Sequence, residues 1–367
     1  MSAVQETILE IDLNALQHNF KYLKATLHKE TKILAVVKAF GYGSSACDVA
    51  KQLEKLKVDY FAVAYTKEGV SLREAGIKTP ILVLHPQLVN FKAIIDYNLE
   101  PNIYSKRVLE AFIDEVDGQN LKDYPIHIKF NTGLNRLGFS ESDIATILAA
   151  IQDTKSVKIN SVFSHLAASE DLNEKIFSKN QISTFKRIST RFIPKLENKP
   201  LLHMTNTSGI LNYPEAHFDM VRVGIGLYGF ANDEIHTKKL KNVVALKSII
   251  SQIHSIEKGQ SVGYNRAFKA DKLIRTATIP IGHADGIHRA FGNGVGYVTI
   301  HGKKAPIVGN VCMDMIMVNI TRINCKEGDE VIIFNSQEMV TDLAKKINSI
   351  SYEILTAISQ RVKRIVN

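Results

Sequence analysis

Between residues 33 and 223 the chain alternates short β-branched or aromatic runs with stretches whose apolar residues recur at helical spacing. That alternation constrains the fold more than any other feature, because strands that alternate with helices pair in parallel. The strand-like runs span 33–38, 60–65, 80–84, 99–104, 125–130, 159–164, 201–205 and 219–223. Between them, Ala46, Val49, Ala50, Leu53 and Leu56 share one helical face, and Ile144, Ile147, Leu148 and Ile151 share another. Ahead of the cycle stands TILEIDL, followed by a helical pattern of Leu16, Phe20, Leu23 and Leu27. Eight strands predict an α/β fold with an N-terminal (β/α)8 barrel over 1–240. A doubly wound sheet fits less well, since no glycine-rich dinucleotide turn is present.

Past residue 240 the texture changes to strand-like segments at 243–254, 273–279, 296–300 and 329–334, separated by Gly, Asn and Lys turns. A C-terminal, mostly β domain over 241–367 is expected, closed by one or two helices with Thr341 or Asp342 as the first N-cap.

The 46 basic residues against 37 acidic give +9, but they are interleaved from end to end rather than gathered in a patch. Nucleic acid is therefore not an expected partner, while small anions are drawn in. No apolar stretch has membrane-spanning length, and the N-terminus lacks the basic-then-apolar pattern of a secretory leader. The 3 cysteines (Cys47, Cys312 and Cys325) are scattered, which suits a reducing cytoplasm rather than a disulfide framework or zinc cluster.

A barrel of this type carries its chemistry at the C-terminal strand ends. The first strand runs ILAVVK and stops on Lys38, with Tyr42 just beyond. Such an amine either snorkels to water or sits desolvated with a lowered pKa, a candidate base or Schiff-base former. The fifth strand brings Lys129 and Arg136, the sixth His165, the seventh His203, Asn206 and Thr207, and the eighth Arg222, Gly224 and Ile225. Singly, His165 reads as a core histidine, Arg136 as half of a surface pair and Gly224 as a turn glycine; together they fall on one rim. The Thr207 hydroxyl and the Gly224 backbone suit a phosphate, and a phosphate beside a strand-end lysine invites pyridoxal phosphate. His283 and Asp285 have no third metal ligand at useful spacing, so no metal is expected.

AVVKAFGYG resembles the cofactor-lysine signature of the alanine racemase family. The likeness continues through IDLNALQHNF, IKFNTGLNRLGF, MVRVGIGLYG, VGYNRAF, TIPIGHADG, APIVGNVCMDMIMV and SYEILTAISQRVKRIV, almost end to end. The resemblance implies a cytoplasmic, pyridoxal phosphate-dependent enzyme that interconverts L- and D-alanine and supplies D-alanine for peptidoglycan. It implies two bases, Lys38 bonded to the cofactor and Tyr264 lent by the other subunit of a homodimer with shared active sites. Arg222 would face the pyridine nitrogen, Arg136 the cofactor phenolic oxygen and the substrate, and His165 would link Arg222 to the tyrosine. Tyr42, Thr207, Gly224, Ile225 and Tyr352 would hold the phosphate, with Asn206 among the cofactor-binding residues. Met313 and Asp314 would meet the substrate carboxylate, and Lys129 stands where several relatives carry a carbamylated lysine.

Several positions depart from the family pattern. Phe40-Gly41 and Ser44-Ser45 alter the turn after Lys38, Thr207 holds a frequent serine position, and Asn131 replaces a common aspartate. His283 replaces a tyrosine and Asn310 an arginine, which bears on access or selectivity. A racemase of broader range, a decarboxylase on the same barrel and a non-catalytic cofactor carrier are the rival readings. A carrier would need neither Tyr264 nor Asp314.

Overall fold

Strands buried on both faces are rich in apolar residues, and each of the eight runs expected from the sequence overlaps one such strand. In the computed structural model, which describes residues 5–152 and 154–367, these strands are Lys32–Val36, Tyr60–Val63, Ile81–Val83, Glu100–Ile103, Tyr124–Lys129, Val157–Phe163, Leu201–His203 and Met220–Val223. They close into a parallel barrel, the last strand pairing with the first at Leu34–Arg222. Helices such as Ala46–Lys55, Lys106–Gly118 and Lys175–Phe192 lie between successive strands and bury one apolar face each. Among the described residues no helix is long and apolar enough to cross a membrane.

The second domain is built on a 9-stranded sheet with two helices, Gln337–Lys346 and Ser351–Thr356. The segment 243–254 is two strands, Val244–Ile249 and Gln252–Ile256, rather than one. The chain closes on a strand, Lys363–Val366, and not on a helix. That strand runs parallel to Ile8–Ile11, which in turn pairs antiparallel with Val244–Ile249. The first strand of the chain therefore lies in this sheet and not in the barrel. The expected N-cap is also corrected: Ser336 caps the helix by accepting from the Met339 N–H, and Thr341 and Asp342 lie within it. Asp342 is instead engaged by the Tyr297 hydroxyl at 2.7 Å.

Two side-chain amides, one buried and one half-buried, join the domains. Asn19, fully buried on helix Leu13–Ala25, donates to the carbonyls of Leu227 (3.0 Å) and Lys241 (2.8 Å) and accepts from the Lys241 N–H (2.7 Å). Gln337 donates to the carbonyls of Thr237 (3.0 Å) and Leu240 (2.9 Å). Both satisfy backbone groups of the connection that leaves the barrel, groups that burial would otherwise strand. Replacement of Asn19 by leucine keeps the volume and orphans this backbone, so Asn19→Leu is expected to cost about 3 kcal/mol of stability in urea unfolding.

Candidate active site

The turn after Lys38 answers why an apolar strand stops on a lysine. Val37 still donates to Ala62 in the sheet, and then Ala39, Phe40, Gly41 and Tyr42 all take positive φ (52, 56, 67 and 54°). A left-handed turn of this kind costs roughly 1–2 kcal/mol per residue with a Cβ and persists only where neighbours over-determine it. Glu68 is one such neighbour. Its Oε1 accepts from the Ala39 N–H at 2.6 Å, while Oε2 accepts from Ala64 at 2.7 Å and Tyr65 at 3.1 Å. The Ser44 hydroxyl donates to the Gly41 carbonyl, so the Ser44 departure serves the turn itself. Gly43 ends it, where any Cβ would fall 1.9 Å from the Leu355 carbonyl oxygen. The result holds Lys38 half-buried at the barrel mouth and Tyr42 against the loop of the last strand.

Four cations share that mouth. Burial, then the charges of Arg136 and Arg222, lower the Lys38 pKa, with Glu68 opposing. Lys129, on the fifth barrel strand, is brought down to about 8 by burial and by Arg222, Arg136 and Lys38. Arg222 is fully enclosed and burial alone lowers it to about 9, still cationic at neutral pH. Its Nη1 donates to His203 Nδ1 (2.6 Å), and its Nη2 to His165 Nδ1 (2.7 Å) and the carbonyls of Ser164 (2.8 Å) and Met204 (2.9 Å). Since arginine only donates, both Nδ1 atoms are acceptors and each ring carries its proton on Nε2. Burial and the surrounding cations hold both histidines neutral, well below the usual range.

Arg136 is exposed at the end of a loop that Asn131 fixes: Asn131 Oδ1 accepts from the Gly133 and Asn135 N–H groups at 3.1 and 3.0 Å. The Asn131 departure thus acts on this loop rather than on Lys129.

Opposite Lys38, the Thr207 hydroxyl accepts from the backbone of Gly224 and Gly226, both at 3.3 Å. A Cβ on Gly224 would stand 2.3 Å from the Tyr42 hydroxyl oxygen, so only glycine leaves the gap open. Tyr42 stacks on Tyr228 at 4.7 Å and lies beside Tyr352 at 5.9 Å. Burial raises the Tyr42 and Tyr352 phenols, Tyr352 to about 12, so both stay protonated donors. Protonated phenols, two glycine amides and a ring of cations fit the phosphate and phenolic oxygen of pyridoxal phosphate. Ile225 is buried in the same loop. Asn206 Oδ1 accepts from the Gly209 N–H and the Ser169 hydroxyl, both at 2.8 Å, and so caps the helix Thr207–Asn212 beside this loop.

Tyr264, Met313 and Asp314 gather elsewhere, around an open groove of about 410 Å³ on the second domain that no barrel-rim residue lines. Tyr264 is 73% exposed, in the loop of the hairpin Ser261–Val262 and Phe268–Lys269. The Asn310 amide donates to the Tyr264 carbonyl at 3.2 Å, so this departure supports the tyrosine loop. Asp314 is held by Arg361 at 2.6 Å, and the same guanidinium takes Asp285, which explains that carboxylate without a metal. Cys312 is half-buried beside them, its thiol raised by burial. The sequence reading missed Glu68 and the part His203 plays. The period-2 alternation of His203 with Leu201 was the available signal for an inward histidine.

Comparison with known proteins bears on the whole chain. The family described as Alanine racemase, N-terminal domain matches residues 11–232, and Alanine racemase, C-terminal domain matches residues 243–366. Alanine racemase 1 of Caldanaerobacter subterraneus subsp. tengcongensis is 35% identical over 99% of this chain and 95% of its own length. The solved alanine racemase of Clostridium difficile superposes with a TM-score of 0.92 at 32% identity, covering 99% of this chain and 96% of that one. The Bartonella henselae alanine racemase with covalently bound pyridoxal phosphate gives 0.88 at 30% identity, covering 99% of each chain.

The low Lys129 pKa carries a stability signature. The folded amine releases its proton near 8 and the unfolded one near 10.5, so between those values the unfolded state binds more protons and the cofactor-free protein gains stability as pH rises. Lys129→Met removes the buried charge and with it this gain. Its stability relative to wild type should be greatest at about pH 7 and shrink toward about pH 10, as read by urea unfolding at both.

Proposed function

Because the chain belongs to the alanine racemase family, we propose that it interconverts L- and D-alanine with pyridoxal phosphate, using Lys38 and the Tyr264 of a second copy as opposed bases. Bound, the cofactor supplies the electron sink that makes the α-proton of an amino acid removable. Racemisation must take a proton from one face of that carbon and return one to the other, which suits two bases better than one. Lys38 bonds the cofactor and works on one face, its basicity brought toward neutrality by burial and neighbouring cations. Tyr264 works on the other, with the His165 Nε2–H as the proton its oxygen meets. Met313 and Asp314 follow Tyr264 to the substrate carboxylate, Arg136 meets the substrate from the barrel side, and the copies form a homodimer. The Lys129 amine adds positive charge beside Arg136.

The observation that carries this reading is Arg222, held by two neutral histidines and two carbonyls so that it offers only N–H donors. Opposite the ring nitrogen such a group leaves the ring neutral and a weak sink. A weak sink favours prompt return of the proton over transamination or decarboxylation. The exposed Tyr264 and its groove, remote from the rim lining, favour a shared site over a lone-barrel carrier. We assign the product to cell-wall peptidoglycan, made in the cytosol where the chain's free thiols stay reduced.

Purified protein with cofactor should be yellow, racemise L-alanine in a polarimetric or coupled assay, and have the cofactor fixed to the Lys38 peptide by borohydride. An optically unchanged L-alanine solution over a yellow protein would favour the carrier. Lys38→Ala should lose attachment and turnover, by on the order of 10³-fold. Tyr264→Phe should keep the colour and lose proton abstraction mainly from one enantiomer. Mixing the two inactive variants should restore activity, because each hybrid dimer holds one site with both bases; a mixture as dead as its parts contradicts the shared site.

A further inference from the structure

Behind Arg222 a chain of polar side chains crosses the barrel interior, one from each of five consecutive strands. Arg222 Nη1 meets His203 Nδ1 at 2.6 Å, and His203 Nε2 meets Ser161 Oγ at 2.9 Å. Ser161 Oγ meets His127 Nδ1 at 2.6 Å, and His127 Nε2 meets Glu100 Oε2 at 2.7 Å. His203, Ser161 and His127 are fully buried, Arg222 is 4% exposed and Glu100 7%. The Tyr60 hydroxyl and the Asn160 amide also donate to Glu100 Oε2, both at 3.3 Å, the pattern of a carboxylate oxygen. None of these groups beyond Arg222 touches the barrel mouth chemistry directly, yet burying five polar side chains in an apolar barrel costs stability that no packing role requires.

The ends of the chain decide its direction. A guanidinium can only donate and a carboxylate can only accept. From the Arg222 end, His203 Nδ1 must accept and its Nε2–H must donate to Ser161. The Ser161 hydroxyl then donates to His127 Nδ1, and the His127 Nε2–H donates to Glu100. A single proton arrangement satisfies every member, and it points from the cation to the anion.

We propose that Glu100 is a positioning residue for the site: its acceptor-only carboxylate locks the tautomers of His127 and His203, and so holds Arg222 aimed at the cofactor ring. Were Glu100 able to donate, the chain could reverse. His203 would then present an N–H to the Arg222 N–H, and the guanidinium would be pushed off its bearing. Glu100→Gln introduces that ability while keeping the shape and an acceptor oxygen. Ser161→Ala cuts the same chain in the middle.

This inference rests on Arg222 facing the ring, and the test separates the two. In wild-type holoenzyme, nitrogen-15 NMR of the histidines should find His203 protonated on Nε2; a proton on Nδ1 overturns the relay, and no variant is needed to see it. Glu100→Gln holoenzyme should show a shifted visible band of the bound cofactor and roughly tenfold lower kcat, with KM for alanine within about twofold, the size expected when an outer hydrogen-bond partner is altered. Ser161→Ala should do the same, and the double variant should be no worse than either single one, since both break one unit. An unchanged band and kcat in Glu100→Gln, or effects that multiply in the double variant, overturn the proposal. Wild-type protein that binds no cofactor or racemises nothing instead contradicts the functional reading.

Discussion

Arg222 sits where the requirements of the barrel and of the chemistry collide. A guanidinium with almost no exposure must find an acceptor for its N–H groups, and its neighbours at the mouth are Lys38, Lys129 and Arg136, all of its own sign. Like charges at this range in a desolvated site repel strongly enough that some must shed protons or bind an anion. Both lysines respond in the first direction, each held below the usual amine range by burial and by the neighbouring cations. The glycine gap at Gly224 and the phenol of Tyr42 provide for the second. The same gathering of like charges that makes the mouth costly to fold favours an anion there.

The left-handed turn at Ala39–Tyr42 belongs to this balance. A regular strand-to-helix exit would carry the residues after Lys38 away along the outer helix layer. Reversed handedness instead folds Tyr42 back against Gly224, on the strand that neighbours the first across the barrel closure. Glu68 holds the turn from the first turn of the helix Thr66–Glu74 that follows the second barrel strand, and Leu355 abuts it from the second domain. Lysine placement is thus a property of both domains and not of one strand end.

The eight barrel strands were legible because burial on both faces leaves short, mostly apolar runs at a regular spacing, and the lysine that ends the first run stood out against it. The rim residues were legible one at a time as strand-end polar groups. What the one-dimensional pattern could not carry were pairings between distant segments. Ile8–Ile11 reads like any strand, and its partner Lys363–Val366, with two cations among four residues, does not read as a strand until both are seen side by side. Thr341 looked like a cap because the Ser336 hydroxyl that takes the role sits where the preceding strand has only just ended. Glu100 drew no reading from the sequence; only barrel closure brings it into line with His127, Ser161 and His203. The exposure of Tyr264 likewise has no sequence signature, since an aromatic in a short hairpin loop reads as core or as turn alike.

The pairing of Ile8–Ile11 with Lys363–Val366, extended where the Leu13 N–H donates to the Asn367 carbonyl and the Asn367 N–H to the Ile11 carbonyl, has a kinetic corollary. During synthesis the barrel segment is complete long before the sheet edge that sheathes Ile8–Ile11 has left the ribosome. A nascent molecule must therefore carry one bare strand edge for most of translation, the kind of edge that recruits other chains. Two stretches translated far apart in time end up zipped together, so that Lys363–Val366 covers the strand edge that Ile8–Ile11 would otherwise leave bare.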